Sequence, residues 1–187
     1  MILFRRWFRD AARKGALQPD AMALATADER GAPSVRMVLF KGLDDDRFLF
    51  YSNYESRKGR DLSANNRAAA VFHWPVVRHQ VRVSGRVRRV PRAESAAYFH
   101  SRPRGAQLSA LASRQSRVVP SRAVLEKAVA DLDRRYPGTV PLGPDWGGYA
   151  LRPDWIEFWE NRADRLHDRL RYVRRRGGGW RLERLAP

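Results

Sequence analysis

Between Gln80 and Val90 the chain alternates. Val81, Val83 and Val87 interleave with Gln80, Arg82, Ser84 and Arg86, and a period of two with β-branched residues on one side makes a strand with one buried and one wet face. Such a strand needs sheet partners, and the rest of the chain supplies them. Ala21 to Ala27, Val35 to Leu43, Arg47 to Asn53, Ala68 to Trp74, Tyr149 to Arg152, Trp155 to Trp159, Arg169 to Arg174 and Trp180 to Leu185 all read as short strands. Turn residues separate them, among them Asp28-Glu29-Arg30-Gly31, Asp44-Asp45-Asp46 and the hairpin glycines Gly177-Gly178-Gly179.

Helical patterns are fewer. Trp7, Phe8, Ala11, Ala12 and Leu17 give the first twenty residues an amphipathic character. Ser56 caps a polar helix reaching about Asn65, and Pro91 opens a helical excursion over about 91–136. The expectation is a mainly β fold with flanking helices (α+β), a barrel with helices at its side, in a single domain over 1–187. With no cysteine among 187 residues, disulfide scaffolds, thiolate metal sites and thiol nucleophiles are excluded. No apolar run approaches the ~20 residues that cross a bilayer, and Met1 to Phe8 lacks the order of a secretory signal, so no membrane association and a cytoplasmic location are expected.

Charge narrows the partners. Lys and Arg number 37 against 20 Asp and Glu, a formal net charge of +17, and the cations are mostly Arg, whose planar fork suits phosphate and carboxylate. An Arg-heavy surface that binds nothing specific would have the same composition, so placement has to decide. Arg36 and Lys41 lie five residues apart on one strand and fall on opposite faces unless it bulges. Ser56-Arg57-Lys58 opens a helix, where free N–H groups, a hydroxyl and two cations suit a phosphate as well as an ordinary solvated cap. Tyr98 to Arg104 is a helix exit, with Pro103 holding Arg102 out of helical geometry. Arg165, His167 and Arg169 share one face if their segment is extended, roughly 7 Å apart, a spacing that a bound anion would explain.

Other chemistry is absent. The histidines at 73, 79, 100 and 167 have no metal-ligand spacing, so no metal is expected. There is no Gly-x-Ser-x-Gly elbow, no Walker loop and no obvious carboxylate pair. Cations, aromatics and hydrogen-bond donors remain, which is what a protein contributes when a cofactor carries the reaction.

In this order, Arg36-Met37-Val38-Leu39-Phe40-Lys41, Tyr51-Ser52, Ser56-Arg57-Lys58, Gln80, Tyr98 to Pro103, Arg114-Gln115-Ser116, Trp146-Gly147-Gly148, Glu157-Phe158-Trp159 and Arg165 to Arg169 resemble the pyridoxamine/pyridoxine 5′-phosphate oxidases. The resemblance runs from about Ala21 to Pro187. It implies an FMN-binding split β-barrel that forms a homodimer, with FMN in clefts between subunits. It assigns Arg36, Met37, Val38, Leu39, Phe40, Lys41, Tyr51, Ser52, Arg57, Lys58 and Gln80 to FMN from one subunit, with Gln115, Ser116, Trp159 and Arg169 completing that site, several from the other subunit. Lys41, Tyr98 and Arg102 would clamp the phosphate of a B6 vitamer, Leu166 would border the substrate, and Arg165 and His167 would act over its pyridine ring. The implied reaction is hydride transfer from the substrate C4′ carbon to flavin N5, with O2 reoxidising the flavin and releasing hydrogen peroxide.

Three features depart from the family pattern. Ala106 stands where a phosphate-binding Ser is usual, with water or the nearby Arg104 as a replacement donor. Gln18 replaces an acidic residue before Pro, and the Arg- and Tyr-bearing segment that closes over substrate has no counterpart before Trp7. A related FMN oxidase of the phenazine-pathway type is the alternative. A basic nucleic-acid-binding module is a more distant one: there is no recognition helix with concentrated basic residues, so no specific nucleic-acid partner is expected.

Overall fold

The computed structural model describes residues 1–187. In chain order the elements are α1 (Ile2–Arg13), β1 (Ala21–Ala27), β2 (Pro33–Leu39), β3 (Gly42–Asp44), β4 (Arg47–Asn53), α2 (Arg57–Ala64), β5 (Arg67–Trp74) and β6 (His79–Arg89). They continue with α3 (Arg92–Ser101), α4 (Arg104–Ala112), α5 (Arg122–Arg135), β7 (Trp146–Glu160), β8 (Asp168–Arg174) and β9 (Trp180–Arg184). All nine strands join one antiparallel sheet, ordered β2-β1-β5-β6-β7-β4-β3, with β8 and β9 added along β7. The sheet curls into a half-barrel whose inner face is packed with the alternating apolar residues.

Strand β7 is the spine. Its first residues pair with β4, its last with β8, and β6 runs along nearly its whole length. The sequence suggests two strands here, broken near Pro153, because a proline withholds a ladder N–H. The chain instead continues through a register shift at Ser84/Gly85, where Pro153 lies opposite Gly85. A Cβ on Gly85 would sit 2.0 Å from the Arg152 carbonyl oxygen, so the bulge depends on that bare backbone.

Strand β2 stops at Leu39, four residues earlier than the alternation suggests. Phe40 turns inward and is 7% exposed, and Gly42 takes φ 131°. The break lies between Arg36 and Lys41, so a simple alternation of faces does not relate them.

Helix α1 closes one end of the barrel. Phe4, Trp7 and Ala11, spaced three and four apart, form its buried stripe. The Phe4 ring packs edge-on to Phe40, Phe48 and Phe72 at centroid distances of 5.4, 4.9 and 5.1 Å, each contact adding roughly 0.5–1.5 kcal/mol beyond area burial. Trp7 stacks on His79 at 3.7 Å. A smaller cluster of Phe99, Leu108, Val140 and Trp146 fixes α3 and α4 against the start of β7. No helix is long and apolar enough to cross a membrane.

Candidate active site

A cavity of about 580 Å³ opens where β2, β4, α2, α3 and the start of β7 converge, lined among others by Met37, Val38, Leu39, Lys41, Tyr51 and Ser52. Lys58, Tyr98, Arg102, Gln115 and Trp146 complete its chemistry.

Lys58 is its most unusual group. Ser56 caps α2, its Oγ accepting from the Gly59 N–H at 3.2 Å, and this seats Lys58 in the first turn, 7% exposed. The Lys58 Nζ donates to Gln115 Oε1 at 2.7 Å, Ser52 Oγ at 3.0 Å and Ser56 Oγ at 3.3 Å, all neutral oxygens. Burial pushes its pKa down to about 8, the Arg36 charge pushes the same way, and Asp61 opposes both. Asp61 follows Lys58 by three residues on α2, is 5% exposed, and accepts a 2.6 Å hydrogen bond from Thr26 Oγ1. Arg36 lies behind this helix. Its Nη1 donates to Thr26 Oγ1 at 2.7 Å and to the Leu24 carbonyl at 3.2 Å, and Asp61 is 3.7 Å away. It acts on the cavity through its field, not as part of the wall.

The opposite wall is aromatic. Tyr98 stacks on Tyr51 with centroids 3.8 Å apart, and Trp146 lies nearly parallel to both, 5.6 Å from Tyr51 and 6.2 Å from Tyr98. Arg102, held extended before Pro103, places its guanidinium 4.9 Å over the Trp146 ring. Its Nη1 is buried without a hydrogen-bond partner, and burial lowers its pKa while the Tyr98 side chain works against that shift. Lys41 sits at the rim, its Nζ 2.9 Å from Asp20 Oδ2.

Phe40 belongs to the aromatic core, Arg57 is exposed on α2, and Ser116 occupies a turn with φ 72°. Arg104 does not replace the missing serine at Ala106. Its guanidinium donates to Asp133 Oδ1 at 2.6 and 2.8 Å and to the Gly138 carbonyl at 2.6 Å, bracing α4 against the end of α5.

Gln80, Trp159, Arg165, Leu166, His167 and Arg169 lie elsewhere. Gln80 and Trp159 are paired at the far end of β7 from Trp146, on the order of 40 Å away along the strand. The expectation that Arg165, His167 and Arg169 share a strand face does not hold. Ala163–Arg165 is a short 3-10 turn in which Asp164 and Arg165 take left-handed φ of 54° and 60°, and the strand begins only at Asp168. Asp is among the few residues that tolerate this conformation, and no glycine marks it in the sequence. Arg165 and Leu166 are consequently exposed, and His167 packs on Trp159 at 4.6 Å. His167 Nδ1 accepts from the Arg162 N–H at 3.2 Å, so the neutral ring carries its proton on Nε2. Arg169 Nε donates to Glu157 Oε1 at 2.9 Å; that carboxylate, 2% exposed, also takes Arg82 at 3.1 Å.

The sequence reading missed Asp61, Thr26 and the wall role of Trp146. The spacing of Lys58 and Asp61 on one helix side was the available signal for the first.

Comparison with known proteins identifies the family. Residues 8–135 match the pyridoxamine 5′-phosphate oxidase family model, and residues 146–187 match the pyridoxine 5′-phosphate oxidase C-terminal dimerisation region. Among similar proteins, the pyridoxine/pyridoxamine 5′-phosphate oxidase of Salinispora arenicola is 52% identical over 186 residues, covering 98% of this chain and 84% of that protein. The Salinibacter ruber protein of the same name is 54% identical over 187 residues, covering 98% and 87%. A solved structure of PhzG from Burkholderia lata 383, in complex with tetrahydrophenazine-1-carboxylic acid, superposes with a TM-score of 0.94 at 32% identity, covering all of this chain and 91% of that one. The chain belongs to the pyridoxamine 5′-phosphate oxidase family.

Proposed function

We propose that the chain is an FMN-dependent oxidase that converts pyridoxamine or pyridoxine 5′-phosphate to pyridoxal 5′-phosphate. The observation that carries this reading is a pair of cations without carboxylate partners in one cavity: Lys58 among neutral oxygens, and Arg102 with a buried, unpartnered nitrogen. Two phosphorylated rings need two such points. The donor set suits a flavin phosphate, because a buried ammonium beside a capped helix start gains most from an anion. FMN, when bound, supplies the acceptor for the hydride leaving C4′ and delivers the electrons to O2, giving hydrogen peroxide.

The chain's own residues bind and orient. Lys58, Ser52, Gln115, Arg57 and Ser116 hold the cofactor beside the β2 segment Met37 to Leu39, with Arg36 and Asp61 setting the field behind them. Lys41, Tyr98 and Arg102 hold the substrate phosphate against the aromatic wall. Gln80, Trp159, Arg165, His167 and Arg169 come from a second copy, because within one chain they stand at the wrong end of β7. A homodimer is therefore part of the reading, and the match of residues 146–187 to a dimerisation region supports it. Arg165 and the protonated Nε2 of His167 donate to the substrate ring as charge develops there.

A related oxidase acting on a tricyclic acid is the second reading, favoured by the close superposition on PhzG. Arg102 and the relatives that are more than 50% identical weigh against it. The purified protein should be yellow and should form aldehyde from pyridoxamine 5′-phosphate in a steady-state assay. A flavin-loaded protein that forms none would reject the B6 substrate, and a protein that stays colourless with added FMN would reject the whole reading.

A further inference from the structure

A second cavity, about 410 Å³, lies on the outer face of the sheet and shares no lining residue with the first. We propose that it is a binding site for a nucleoside di- or triphosphate.

Arg86 on β6 stands directly opposite Arg67 on β5 and Arg152 on β7. Residues opposite one another in an antiparallel ladder share a face, so three guanidinium groups form a row across three strands. Like charges placed this way repel. Arg88, two residues along β6, adds a fourth on the same side. The nearby acids do not neutralise the row. Asp44 is taken by Arg47 and Asp46 by Arg174, while Arg67 reaches Asp154 at 3.4 Å. Arg86, Arg88 and Arg152 line the cavity with no ion pair of their own. All are arginine, whose planar fork fits phosphate oxygens two at a time.

The rest of the wall sets the ligand class. Asp45 and Glu94 also line the cavity and make no ion pair. They would oppose a continuous polyanion such as RNA, but they are suitable acceptors for sugar hydroxyls or an exocyclic amine. A ligand with adjacent phosphates at one end and hydrogen-bond donors at the other satisfies both walls, and the volume is in the range of small-molecule sites. Arg86 is six residues along β6 from Gln80, roughly 20 Å from it, and with no lining residue in common the two cavities are distinct.

The test uses protein saturated with both FMN and pyridoxal 5′-phosphate, which fill the two phosphate points of the first cavity. Calorimetric titration with ATP should show one site per chain, and Arg86→Ser or Arg152→Ser should weaken it about tenfold or more. Glu94→Gln should weaken ATP while leaving inorganic tripolyphosphate bound at least as tightly. Arg86→Ser should also raise the melting temperature of the ligand-free holoenzyme, by removing a like-charge neighbour, and should abolish the rise that ATP induces, with oxidase activity unchanged. No saturable ATP binding, binding indifferent to Arg86 and Arg152, or displacement of ATP by single-stranded RNA at lower concentration would each overturn the proposal. Equal effects of Glu94→Gln on ATP and tripolyphosphate would overturn its nucleoside part.

Discussion

At the Trp146 end of β7, Lys58 is buried among neutral oxygens and Arg102 keeps a nitrogen without a partner. At the Trp159 end, Arg82 and Arg169 share the buried Glu157, and Arg162 and Arg184 share Asp168. One end holds positive charge in reserve, and the other has spent nearly all of its own on internal ion pairs. A cation with no counter-ion is a place for an anion to bind, because burying it unpaired is costly. A cation locked to a carboxylate serves chiefly to fix geometry. Arg78 and Arg165 are the exceptions at the second end: both are exposed and make no ion pair, and on the proposed reading Arg165 meets its ligand only after assembly.

Disabling one end at a time gives the largest expected effects. Arg165→Ala should lower turnover roughly a hundredfold while FMN content is retained; equal loss of both would contradict its assignment to the substrate. Lys58→Met should weaken FMN binding on the order of 10- to 100-fold in a fluorescence titration, without lowering the melting temperature of the apoprotein, since a desolvated charge is removed. Mixing these two impaired variants under conditions that exchange subunits should recover about a quarter of normal activity, because half the pairs are mixed and each mixed pair has one intact cavity. No recovery would place both ends in a single chain's site.

A smaller effect should follow from Gly59→Ala. A Cβ there would lie 2.0 Å from the Tyr54 carbonyl oxygen, so α2 has to shift and carry Lys58 with it. Thermal or urea unfolding should report a loss of roughly 1–3 kcal/mol, together with weaker FMN binding.

The pH dependence is gentler still. With Lys58 at about 8 in the folded chain against 10.5 ordinarily, both states hold the proton below pH 8, and the burial cost is felt in full. Between these values the unfolded chain binds more protons, so this group's contribution to apoprotein stability rises with pH. FMN affinity should run the opposite way, falling above pH 8 by at most about tenfold per unit. A flat profile from pH 7 to 10 would remove Lys58 from the phosphate contact.

Much of this contrast was legible in the residues. Ser56 and its cap, the alternation of β6 and the proline-set exit at Arg102 are local signals, and the fold follows them. The Arg165 segment was not legible, because the left-handed turn at Asp164 depends on how β7 hands the chain to β8. The continuity of β7 through Pro153 was hidden for a similar reason: a bulge opposite a glycine is a property of two strands. The stack of Tyr51, Tyr98 and Trp146 joins three elements distant in sequence, and no periodicity reports such a meeting.

The length of β7 has a further consequence. On the reading given above, a lone copy possesses two half-formed cavities and no whole one, so dilution alone silences it. Specific activity should then decline as total protein falls below the dissociation constant of the pair, and added flavin, by bridging the two chains, should hold them together by mass action.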